Sequence, residues 1–160
     1  MADDKPVPDG FHTVTPYLTV DNARQALEWY KRAFGALELS RQAGPDGTIL
    51  HGELQIGDSP IMINDTKIGG KSPTTLGGSP VALWVYVEDC DALFNRAVEA
   101  GGEVRTPLAD HFWGDRSGSL MDPYGYQWTI ATRKEHVPRL EMAQRRKAFA
   151  KQLAEREPVS

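Results

Sequence analysis

His51 and Glu53 stand two residues apart in the run Ile49–Ile56, and side chains two apart on an extended strand share one face. If Leu50, Leu54 and Ile56 turn toward an interior, His51, Glu53 and Gln55 turn the other way. An imidazole beside a carboxylate supplies two donors for a divalent metal ion, or a general base with its hydrogen-bond partner. No third ligand stands near them in the sequence, and direct contact with a small molecule is the other use for such a pair. The run Phe112-Trp113-Gly114-Asp115-Arg116 puts two large aromatics, a Gly and an Asp-Arg pair into one short connection, and connections on a rigid scaffold often carry binding residues. Arg116 suits an anionic ligand group through a charge-assisted bond, or pairs with Asp115 to brace the loop. Cys90 opens an expected helix but falls on its apolar stripe, so it reads as a small buried side chain rather than a nucleophile. Gly-rich dinucleotide, phosphate-loop and Gly-x-Ser-x-Gly signatures are absent from the sequence.

The elements that must position these residues repeat. Val20-Asp21-Asn22 opens a helical stretch with Ala23, Leu27, Tyr30 and Phe34 on one face, and Gly35 closes it. Val87-Glu88-Asp89 opens another 67 positions later, with Cys90, Leu93, Phe94, Ala97 and Ala100 as the stripe and Gly102 in the place of Gly35. Asn22 with Gln25, and Asp89, are N-cap chemistry. Alternating runs at 13–20 and 81–87 lead each helix; 37–41, 49–56 and 60–64 follow the first, and 103–107, 116–121 and 126–132 follow the second. Each half is one βαβββ unit: residues 12–65, then a Gly-, Ser- and Thr-rich linker at 66–80, then 81–132. A helix is expected over 136–157, with Met142, Phe149 and Leu153 at helical spacing among basic residues. Period-two alternation sends Val14, Leu18, Val20, Leu83, Val85, Val87, Trp128 and Ile130 toward the helices. It leaves Tyr17, Thr19, Ala82, Trp84, Tyr86, Gln127 and Thr129 on an open, aromatic and neutral-polar face, which suits a flat amphipathic molecule.

The chain has 160 residues, 40% of them apolar and 25% charged, which is the composition of an ordinary single folded domain. Its longest apolar run, 81–87, is far short of the ~20 residues a membrane helix needs. The first residues, Met1-Ala2-Asp3-Asp4-Lys5, lack the basic and apolar regions of a secretion signal, and Cys90 is the only cysteine, so a cytoplasmic protein is expected. Residues 133–160 carry 8 Lys or Arg against 4 Asp or Glu, leaving 10 against 18 for the body. An acidic body argues against nucleic-acid binding.

The ordered series Pro16-Tyr17-Leu18-Thr19-Val20, Trp29-Tyr30-Lys31-Arg32-Ala33-Phe34-Gly35, His51-Gly52-Glu53, Phe112-Trp113-Gly114-Asp115-Arg116 and Asp122-Pro123-Tyr124-Gly125-Tyr126-Gln127-Trp128 resembles the vicinal oxygen chelate superfamily. More narrowly, it resembles the PhnB-like branch of the glyoxalase/bleomycin-resistance/dioxygenase family. The resemblance implies an α+β fold of two tandem βαβββ modules forming an open, barrel-like mixed sheet around a cleft, with helices outside, commonly in a homodimer. It also implies a divalent-metal site on the leading and final strands, which here falls on Thr15, Met62, Ala82 and Thr129. Ala, Met and neutral Thr cannot replace imidazole or carboxylate donors, so no cofactor is expected. The first expectation is therefore a metal-independent protein that holds a small molecule with Tyr17, His51, Glu53, Trp84, Tyr86, Phe112, Trp113, Arg116 and Thr129. The alternative is a metal-dependent lyase or isomerase of glyoxalase type using His51 and Glu53, and a third class is an interaction module using the basic tail.

Overall fold

Asn22 starts the first helix because its side-chain oxygen accepts the Gln25 amide at 3.2 Å, while its own backbone sits at φ 60, a conformation Asn tolerates better than most residues. Gly35, at φ 64, ends that helix by returning its amide to Lys31 and Tyr30. The computed structural model describes residues 5–156; residues 1–4, on which most of the secretion-signal reading falls, and residue 157, the expected end of the last helix, lie outside the described residues. Within it, β1 (Tyr17–Val20), α1 (Ala23–Phe34), β2 (Leu37–Ala43), β3 (Ile49–Ile56) and β4 (Ser59–Asp65) form the first module. The linker holds a single 3-10 turn (Thr66–Ile68) and a one-turn helix α2 (Pro73–Leu76). The second module is β5 (Ala82–Tyr86), α3 (Cys90–Glu99), β6 (Glu103–Asp110), β7 (Asp115–Met121) and β8 (Gln127–Arg133), and α4 (Arg139–Glu155) follows it.

Each module makes a mixed four-stranded sheet of the same order, β1-β4-β3-β2 and β5-β8-β7-β6, with the first pair parallel and the rest antiparallel. The repeat extends to register: Tyr17 pairs with Met62, and 67 positions on Trp84 pairs with Thr129. Both helices cover one side of their sheets and pack on each other, Arg96 donating to the Arg32 carbonyl (2.7 Å) and the Trp29 indole to the Ala100 carbonyl (2.8 Å). The core is continuous across the modules: Trp128 lies 4.7 Å from Phe34 and 5.6 Å from Tyr30, centroid to centroid. Each side chain so buried contributes on the order of 1.5–3 kcal/mol.

Three local expectations are corrected. Strand β1 begins only at Tyr17, so Val14 finds no sheet partner and is 82% exposed rather than interior. Ile49, not Leu50, is the buried member of its pair, because a register shift between Gln42 and Ala43 turns the start of β3 by one residue. Helix α3 closes on Ala100, and Gly101, at φ 111, makes the left-handed step assigned to Gly102.

Candidate functional site

With the helices on one side, the other side of each sheet is open, and the two open faces carry different chemistry. On the first, Tyr17, Met62, Glu53 and Ser40 form one rung across β1, β4, β3 and β2. His51 joins them as expected: Nε2 is 3.1 Å from Glu53 Oε1, and Nδ1 is 3.4 Å from the Tyr17 hydroxyl. A neutral imidazole satisfies both partners in one tautomer, with Nε2–H donating to the carboxylate and Nδ1 accepting the phenol. Beside them the Thr19 hydroxyl donates to Asn64 Oδ1 at 2.8 Å. This face is polar and carries its own hydrogen-bond network.

On the second face the corresponding rung is Trp84, Thr129, Ser119 and Thr106. Trp84 and Tyr86 are 50% and 62% exposed, with ring centroids 6.2 Å apart. The loop before β7 folds over this face. Trp113 stacks on His111 at 4.2 Å with the planes 6° apart, and its indole N–H donates to Asp115 Oδ2 at 3.1 Å. The Tyr86 hydroxyl donates to the same oxygen at 2.8 Å, and that bond to a carboxylate raises the phenol pKa above its ordinary value. Gly114 makes the turn at φ 99, where any Cβ would fall 2.6 Å from the Glu135 carbonyl. Trp84, Thr106, Trp113, Ser119, Gln127 and Thr129 line a hollow of about 200 Å³.

The structure thus gathers Tyr17, His51 and Glu53 on one face and Trp84, Tyr86, Trp113 and Thr129 on the other. It does not bring Phe112 or Arg116 there. Phe112 turns away to pack on Phe149 of α4 at 4.8 Å. Arg116 does not pair with Asp115 either, because neighbouring residues of β7 point to opposite sides. Its guanidinium reaches both Asp91 oxygens of α3 (2.7 and 2.8 Å) and Asp110 (3.3 Å), which holds the Asp91 carboxyl below its ordinary range. Cys90 is buried against the Arg116 carbonyl, with Sγ at 3.4 Å. His111 is a site residue with no signal in the sequence, and Asp115, which the sequence offers only as a brace partner for Arg116, instead holds Tyr86 and Trp113.

A divalent ion in a site of this kind needs imidazole or carboxylate donors from the side chains. Thr15, Met62, Ala82 and Thr129 contain none, so as a set they do not fit the metal that the fold family implies. His51 and Glu53 supply two donors, and among the described residues no third His, Cys, Asp or Glu joins them.

Two tandem βαβββ modules with an open face on each define the class of fold. The chain matches the model of the Glyoxalase/Bleomycin resistance protein/Dioxygenase superfamily over residues 10–130, and it belongs to that superfamily. It is 46% identical over 122 residues to uncharacterized protein Rv0887c of Mycobacterium tuberculosis, covering 73% of this chain and 72% of that protein. It is 31% identical over 124 residues to the anthracycline biosynthesis protein DnrV of Streptomyces peucetius, covering 76% of this chain but 41% of the longer relative. Among solved structures, TioX from Micromonospora sp. ML1 superposes with a TM-score of 0.61 at 30% identity, covering 75% of this chain and 97% of TioX. No helix among the described residues is long and apolar enough to cross a membrane.

Proposed function

We propose that this protein is a small-molecule-binding member of the superfamily, of the PhnB-like branch, that holds a flat amphipathic ligand against Trp84, Tyr86 and Trp113 without a metal ion. The observation that carries the reading is the exposed aromatic pair Trp84 and Tyr86 with Trp113 held beside it by Asp115. Aromatic faces left open on a rigid sheet gain most from a planar guest, and Thr129, Ser119 and Gln127 supply donors and acceptors to orient it. The Streptomyces peucetius relative is named for anthracycline biosynthesis, and a planar aromatic of that general kind is the class of guest this reading favours. The working form is a cytoplasmic homodimer. A groove of about 600 Å³, lined by Val14, Pro16, Ile61, Leu83 and Val85, runs along β5, and this free strand edge with exposed Val14 and Val81 suits a second copy. Neither nucleic acid nor membrane is a partner in this reading.

The test is calorimetric titration with acridine, a planar three-ring probe, against wild type, Trp84→Ala and Trp113→Ala. Binding that both variants weaken supports the reading; binding indifferent to both overturns it. The second reading, a metal-dependent lyase or isomerase, is favoured by the Tyr17–His51–Glu53 hydrogen-bond chain. Elemental analysis after equilibration with Mn²⁺, Ni²⁺ or Zn²⁺ decides between them. Near-stoichiometric metal that His51→Ala loses would move the assignment to that centre.

A further inference from the structure

Asp115 is 6% exposed, and a carboxylate this deep ordinarily has a cation for a partner. Here it has only two neutral donors, the Tyr86 hydroxyl and the Trp113 indole, and both bond to Oδ2. Among the described residues no donor reaches Oδ1 and no cation pairs with the group. Arg133 stands directly across the β7–β8 ladder from it, yet its guanidinium turns to His136 Nδ1 at 2.6 Å. The carboxylate borders a cavity of about 620 Å³ whose other walls are Tyr86, Trp113, Arg133 and Met142.

Met142 belongs to α4, which follows the family-matched residues 10–130 and has no buried side chain of its own. The helix is fastened instead to the loop that carries Trp113: Arg145 donates to the Phe112 carbonyl at 3.0 Å and pairs with Glu135 and Glu141, and Phe149 packs on Phe112. Its contacts therefore shape this cavity rather than the core.

We propose that the cavity between the aromatic face and α4 is a charge-selective subsite, and that the ligand of this protein is a planar aromatic carrying a positive charge, seated against Tyr86 and Trp113 with Asp115 as its counter-ion. The proposal rests on the aromatic-face reading above. Two ring faces and an unpaired carboxylate attract the same guest: the ring quadrupoles and the charge both favour a cation, and burial strengthens each. Arg133, the cross-strand neighbour of Asp115, also lines the cavity and opposes a cation there, but its guanidinium is engaged by His136 rather than by the Asp115 carboxylate.

The experiment compares acridine with N-methylacridinium, a permanent cation of the same three-ring shape, by calorimetry at mildly alkaline pH where acridine is neutral. Wild type is expected to prefer the cation roughly tenfold. Asp115→Asn keeps an oxygen for the Tyr86 and Trp113 donors while removing the charge, so it should erase the preference, weakening N-methylacridinium about tenfold more than it weakens acridine. Asp58→Asn, on an exposed turn, removes the same net charge and should leave the preference intact. Met142→Ala should weaken both probes by a similar factor, and no change with either probe would remove α4 from the site. Equal binding of the two probes to wild type overturns the subsite while leaving the aromatic reading in place. A preference that Asp115→Asn retains, or that Asp58→Asn lowers equally, assigns it to the acidic body and also overturns the subsite. Failure of both probes to bind strikes the aromatic reading itself.

Discussion

The two modules share strand order, register and capped helices, yet their open faces and hairpin turns do different things. Where the first carries Tyr17, Glu53 and Met62, the second carries Trp84, Ser119 and Thr129 at the equivalent rung positions. The β3–β4 turn ends in exposed Asp58, whose carboxylate, among the described residues, accepts only from its neighbour Ser59. The β7–β8 turn has Asp122, 3% exposed, accepting the Tyr124 and Tyr126 amides on one oxygen and the Tyr30 hydroxyl (2.6 Å) and Trp128 indole (2.8 Å) on the other. One backbone plan thus gives a polar face with a solvated turn, and an aromatic face with a turn tied through Tyr30 into the other module. A repeat fixes where side chains point; residue identity alone decides what they do there.

The largest effect should come from breaking that turn. Asp122→Ala strands four buried donors and is expected to cost about 3–5 kcal/mol by urea denaturation, against under ~0.5 kcal/mol for Asp58→Ala. Comparable losses at the two sites would remove the asymmetry between the turns. Burial raises the Asp122 pKa despite its four donors. The folded state therefore holds this proton more tightly than the unfolded chain does. Its protonation stabilises the fold in full below the unfolded carboxylate pKa, and that contribution is lost as pH rises through the folded value. Wild type measured against Asp122→Asn should accordingly lose relative stability as pH rises across the carboxylate range, and a relative gain would reverse the sign assigned here.

The second effect separates the faces. Trp84→Ala and Trp113→Ala should each weaken acridine binding about tenfold or more, as loss of an aromatic stacking partner does. His51→Ala, on the polar face of the same chain, should stay within about twofold. A loss at His51 equal to that at Trp84 would join the faces into one site, which a second copy closing over both would produce.

The repeat was legible in the sequence because caps, turns and alternation are local. Asn22, Asp89 and the 67-residue offset located both helices, and alternation placed Trp84, Tyr86, Thr129, His51 and Glu53 on the open side, where the structure has them. What failed depended on partners far away in sequence. Val14 continues the alternation of β1 but meets no neighbouring strand, and Ile49 replaces Leu50 because the opposing strand shifts register. Asp122 reads as a turn residue, and only the arrival of Tyr30 from the other module makes it a buried acceptor. The open-face role of Asp115 was readable: counting back by twos from Ser119 puts Ser117 and Asp115 on that face, but a loop assignment over 112–116 hid the parity.

The same parity gives the smallest effect. Arg116 lies between Asp115 and Ser117 and points to the helix side, where Asp91 and Asp110 hold it. Arg116→Gln should therefore leave binding of both acridine and N-methylacridinium within about twofold of wild type. The pair it breaks ties α3 to the start of β7, so the variant should unfold at slightly lower temperature, and high salt should mute that difference by screening the wild-type pair. A selective change in cation binding would mean that Asp115 moves when its neighbour is released. The two sides of β7 would then be coupled, and the separation of helix face from ligand face would fail at the strand where it is drawn most sharply.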